Sequence, residues 1–109
     1  MNITIKSLGG VTVVTVDGSI DSKTAPELQQ KILGATAGTN MMVIDLSAVS
    51  FVSSAGLRVL LMVYRQVKAK DGKVILAGVS EEIKDVMSMT GFITFFELAE
   101  TEAEAITKF

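Results

Sequence analysis

Six residues in the middle of the chain, Met41-Met42-Val43-Ile44-Asp45-Leu46, are apolar at every position but one and show no alternation. A run that short and that apolar fits a strand buried on both faces, the usual state of a central strand in a parallel sheet. Helix signals flank it on both sides. Upstream, Thr24-Ala25-Pro26-Glu27 reads as a helix start, with Thr24 as cap, Glu27 completing a capping box and Pro26 in the first turn. Leu28 and Ile32 follow at i, i+4, and Gly34 is the expected stop before a small-residue linker. Downstream, a long helix begins near Ser53 or Ser54 and runs to about Lys70, where Asp71-Gly72 ends it.

The remaining elements fall into the same alternation. Ile3 and Ile5, then Val11, Val13, Val14 and Val16, read as two strands joined at Gly9-Gly10, a hairpin signal. Lys73 to Ala77 is a further strand. Ser80 caps a third helix with Glu81 and Glu82 in its first turn, Ile83, Val86 and Met87 as its apolar stripe and Gly91 at its end. Phe95, Phe96 and Leu98 make a last short strand, and Thr101-Glu102-Ala103-Glu104 is a second capping box opening a C-terminal helix. The order is ββαβαβαβα. It predicts an α/β domain over residues 1–109, with one small, mixed but mainly parallel sheet and flanking helices.

Composition narrows the chemistry. At 109 residues with 49% apolar content, the chain can bury one real core. Its apolar runs fall well short of the roughly 20 residues that cross a bilayer. The alternating start, Met1 to Lys6, is unlike a secretory leader. The expectation is a cytoplasmic protein without membrane insertion. Cysteine and histidine are both absent, which rules out Ser-His or Cys-His catalysis and any thiolate or imidazole metal site. The net charge is −2 with no basic block, so nucleic acid is not an expected partner.

The segment Asp45-Leu46-Ser47-Ala48-Val49-Ser50-Phe51-Val52-Ser53-Ser54-Ala55-Gly56-Leu57 carries the functional information. A buried strand delivers two serines, by way of a loop, to the start of the long helix, where small residues leave the first turn uncluttered. Unpaired N–H groups and the helix dipole make such a terminus a place for a phosphate, bound or covalently attached. On spacing alone, a plain N-cap at Ser53 or Ser54, worth about 1 kcal/mol, is the favoured reading. A nucleophilic serine fails: no histidine can activate it, no Lys stands at the Ser-x-x-Lys spacing, and the glycine-flanked elbow is missing.

The same segment, together with Asp17-Gly18-Ser19-Ile20-Asp21-Ser22-Lys23-Thr24-Ala25, resembles the two shared regions of the STAS domain, found in sulfate transporter tails and bacterial anti-sigma-factor antagonists. The resemblance spans essentially the whole chain and implies a βα superhelix. Its soluble bacterial members bind an anti-sigma factor that is also a serine kinase, which phosphorylates the antagonist and so frees itself to hold the sigma factor. A serine phosphatase is a further implied partner. Carried over, the phosphoacceptor is Ser54, with Ser53 as the alternative. The chain departs from the family in having Ser53 where better-known antagonists have Asp, and Ala55 where a second hydroxyl often stands.

On the long helix, Leu57, Leu60, Leu61 and Tyr64 share one side and are expected to face the sheet. Ser54, Arg58, Met62 and Arg65 form a neighbouring stripe, an apolar centre flanked by arginines that suits protein recognition. The expected docking surface therefore comprises Asp21, Ser53, Ser54, Ala55, Gly56, Arg58, Met62 and Arg65, with no catalytic residue, metal or cofactor. Asp21 and Asp45 alone make a thin case for a metal and instead suit bonds to loop amides. Two other functions fit the same residues: an unphosphorylated accessory subunit of a lipid or solute ABC-type transporter, and a stand-alone module for a phosphorylated metabolite. The oligomeric expectation is a monomer or a weak dimer, with Phe95-Phe96 as core or contact.

Overall fold

The computed structural model describes residues 1–109. Strands β1 (Asn2–Leu8) and β2 (Val11–Asp17) form an antiparallel hairpin, turned by Gly9 and Gly10 at φ of 58° and 83°. Two successive positive φ angles are what a mirror-image two-residue turn demands, and glycine adopts them without Cβ strain. Helix α1 (Ala25–Thr36) leads to β3 (Met41–Ala48), α2 (Ser54–Lys68), β4 (Lys73–Ala77), α3 (Glu81–Thr90), β5 (Glu97–Ala99) and α4 (Glu102–Ile106). The sheet order is β1-β2-β3-β4-β5, parallel throughout except at the β1–β2 hairpin. This is the anticipated mixed, mainly parallel α/β architecture.

The central strand is β3, and Met42 through Leu46 are all buried, as its unalternating sequence requires. On one face, Met42, Ile44 and Leu46 join Val14, Val16, Val74 and Leu76 beneath Leu28 and Ile32 of α1, Leu57, Leu60 and Val63 of α2, and Ile83 and Met87 of α3. On the other, Val11, Val13, Val43, Ile75, Ala77 and Ala99 pack with Ala105 of α4. The only acid within this buried run, Asp45, accepts the Ser47 N–H on its Oδ1 at 2.9 Å.

Local details differ from the sequence expectations. Thr24 makes no cap bond to α1; its hydroxyl donates to the Ser19 carbonyl and accepts the Asp21 N–H, both at 2.9 Å. Asp21 takes over the turn instead. Gly34 does not stop α1, which continues to Thr36 because the last turn packs Ala35 and Thr36 inward. On α2 the buried stripe is Gly56, Leu57, Val59, Leu60, Val63 and Val67, while Leu61 and Tyr64 are only half-buried. That rotation follows from α2 packing on α1 as well as on the sheet. Phe92–Phe95 form a 3-10 turn rather than strand, and Phe95 and Phe96 stack their rings on Tyr64 at 5.7 and 5.5 Å. Phe96 is buried and Phe95 is 44% exposed. Ser80, Thr101 and Gly91 act as expected: the two hydroxyls accept the N–H groups of Ile83 and Glu104, and Gly91 closes α3 at φ 79°.

Candidate docking surface at the start of α2

Because β2 through β5 run parallel, the loops that follow them collect along one edge of the sheet. The loops after β2 and β3 are fastened to each other there by an isolated parallel bridge between Ile20 and Val52. The Ile20 N–H donates to the Phe51 carbonyl at 2.9 Å, and the Ser53 N–H donates to the Ile20 carbonyl at 2.8 Å. Below this bridge the Gly18 N–H reaches the Ala48 carbonyl at 3.2 Å. Backbone pairing beyond the regular strands fixes Asp21 beside Ser53, although 32 positions separate them in sequence (53 against 21).

Gly56 makes this contact possible. A Cβ there would lie 2.6 Å from Cγ2 of Ile20, 2.9 Å from Cγ1 of Val52 and 3.1 Å from the Ile20 carbonyl. The first turn of α2 therefore sits directly on the bridge, at a separation only glycine allows.

The two serines have different tasks. Ser53 is the N-cap: it is half-buried, and its Oγ accepts the Gly56 N–H at 3.3 Å. Ser54 is the first helical residue and is exposed. Its hydroxyl is in none of the hydrogen bonds of the structure. The N–H groups of a first helical turn lack intrahelical acceptors, so negative charge at Ser54 meets the positive end of the helix dipole.

Asp21 is held rigidly. Its Oδ1 accepts the N–H of Thr24 at 3.0 Å and of Lys23 at 2.9 Å. These backbone bonds, that of Thr24 first, favour the charged form and hold the carboxyl below its ordinary pKa, with a smaller contribution from the Lys23 charge.

Ala55, Arg58 and Met62 run along α2 from this loop pair and, with Ser22, Pro26 and Gln29 of the α1 side, line a shallow groove. Its volume is about 240 Å³, below the roughly 300–1,000 Å³ of small-molecule sites. Arg58, Met62 and Arg65 continue with Leu61 around a second hollow one turn on. The structure thus brings Asp21, Ser53, Ser54 and Ala55 together at one edge and extends them along α2 through Arg58, Met62 and Arg65; Gly56, expected on this surface, is instead buried against Ile20 and Val52 and serves packing. Phe51, absent from the sequence expectation, lies next to the bridge and is 53% exposed. No helical or strand periodicity marks a loop residue as outward-facing, so its position was not legible beforehand.

Comparison with known proteins gives this arrangement its class. The STAS domain profile matches residues 2–105. The chain belongs to the STAS domain family. It is similar to BtrV of Bordetella bronchiseptica, provisionally named an anti-sigma factor antagonist, with 27% identity over all of this chain and 95% of that protein. It is also similar to the anti-sigma-B factor antagonist of Bacillus subtilis, at 26% identity over 91% of each chain. Among solved structures, an anti-sigma factor antagonist from Mycobacterium paratuberculosis superimposes with a TM-score of 0.88 and 34% identity, covering 97% of this chain and 91% of that one.

Proposed function

We propose that this protein is an anti-sigma-factor antagonist, a regulator that works in the bacterial cytoplasm by binding and has no catalysis of its own. It docks an anti-sigma factor through the edge formed by Asp21, Ser53, Ser54 and Ala55 and the α2 stripe of Arg58, Met62 and Arg65, with Gly56 buried beneath as the packing joint. Phosphorylation of Ser54 by that anti-sigma factor, acting as a serine kinase, releases it, and a serine phosphatase restores binding. The observation that carries this reading is the exposed, uncommitted hydroxyl of Ser54 on a rigidly held helix start. Ser53 is the poorer acceptor, since a kinase must first break its cap bond to Gly56.

The switch is local. Phosphorylation adds about −1.5 to −2 charges and a bulky tetrahedral group. Within the free protein the helix N-terminus accommodates the charge. At a docked interface the same group must be desolvated and given room, and a loss of about 4 kcal/mol weakens binding roughly 1,000-fold. Refolding is not required. Mass spectrometry of the protein isolated from its bacterium, before and after phosphatase treatment, tests the assignment: a phosphate mapped to Ser54 supports it, and one found only on Ser53, or on neither, refutes it.

A further inference from the structure

The docking surface has a chemistry of its own that defines what must face it. Phe51 is 53% exposed although its neighbours Val49 and Val52 are buried. Its backbone is immobilised by the Ile20 N–H, so the ring is presented outward on a fixed support. With its backbone already fixed, an exposed aromatic has only its few side-chain rotamers to order on docking, which suits an interface anchor. Alongside it, the charged residues of α2 are Arg58, Arg65 and Lys68, all exposed, and the helix contains no carboxylate. None of the three takes part in an ion pair; of the other seven cations, Lys6, Lys31, Lys73, Lys84 and Lys108 do and Lys23 and Lys70 do not. On a chain of net charge −2, the charges of α2 are all basic and run along the helix from Arg58, one turn past its start, to Lys68 in its last turn.

We infer that the partner presents an apolar socket that receives Phe51 and, extending from it along the line of α2, carboxylates that pair with Arg58 and Arg65. This rests on the antagonist reading and names the chemistry of the anti-sigma-factor surface. An anionic membrane is the weaker candidate, because electrostatic membrane binding uses clusters of about four to eight basic residues. Complementary charge speeds encounter and is screened by salt, whereas a buried aromatic anchor slows release.

The test is titration of the full-length protein against each purified anti-sigma factor of the same bacterium, over an ionic-strength series. Phe51→Ala weakens binding by at least about tenfold at unchanged melting temperature, as loss of an anchor does, and Phe51→Leu recovers part of the loss. Arg58→Glu combined with Arg65→Glu weakens binding at low salt and flattens its salt dependence. Wild-type affinity in Phe51→Ala or in the charge-reversed variant overturns the inference. So does tighter binding at high salt, or co-sedimentation of the wild type with phosphatidylserine-containing vesicles. If these variants bind normally while Ser54→Glu does not, this inference alone fails. If Ser54→Glu binds as wild type, the phosphorylation reading fails first.

Discussion

Replacing Gly56 with alanine tests the joint that assembles the proposed docking edge. The added Cβ would sit 2.6 Å from Cγ2 of Ile20 and 2.9 Å from Cγ1 of Val52. Neither neighbour can withdraw: Ile20 is fully buried, Val52 nearly so, and both are pinned by the bridge and its 2.9 and 2.8 Å hydrogen bonds. Overpacking costs about 1–3 kcal/mol, and two contacts below 3.0 Å with buried neighbours place this site at the upper end, about 2–3 kcal/mol. Alanine recovers up to about 1 kcal/mol of helix propensity. The net expectation is a destabilisation of about 1–2 kcal/mol, which for this length is a fall in Tm of about 4–9 °C. The control is Gly34→Ala, also within a helix but exposed, with nothing within 4 Å of the new Cβ. There only propensity changes, so Tm should rise by about 4 °C. Differential scanning calorimetry of the two variants reads the sign directly. A Gly56→Ala protein as stable as wild type, or more so, would refute the close-packed joint.

Two further substitutions address the polar side of the same edge. Ser53→Ala removes the cap on α2 and should cost about 1 kcal/mol, measured by urea denaturation, while leaving the Ser54 hydroxyl in place. Asp21→Ala should destabilise the protein at neutral pH, where the lowered carboxyl pKa makes the ionised side chain stabilising. That advantage is full above the ordinary carboxylate pKa and disappears as pH falls through the depressed one. Denaturation curves of the two proteins should therefore converge in acid, and a gap that widens on acidification would contradict the assigned role.

What the sequence disclosed, and what it did not, follows from the range of each signal. The unalternating Met41–Leu46 run marked a central strand because burial on both faces leaves no polar period to read. Ser80 and Thr101 were identifiable as caps because the bonds they make span only three residues. Thr24 carried the same local signature, yet the Ser19 carbonyl and Asp21 N–H claim its hydroxyl once the β2–α1 loop is folded. The α2 stripe was displaced toward Val59, Val63 and Val67 because α1 contributes a second packing surface that a single-helix projection omits. Aromatic packing on Tyr64 drew Phe95 out of the final strand into a 3-10 turn. At the docking edge, Ser54, Arg58, Met62 and Arg65 were legible by helical spacing. The fastening of Asp21 to Ser53, and the exposure of Phe51, depend on a bridge between residues far apart in sequence.

The central claim is that the chemical state of Ser54 decides whether the partner stays bound. The direct measurement is the affinity of the full chain for its anti-sigma factor, unphosphorylated and stoichiometrically phosphorylated at Ser54, with thermal melts of both forms. The account predicts a loss of affinity of roughly 1,000-fold, corresponding to about 4 kcal/mol, with both forms folded. Equal affinity of the two forms would contradict it.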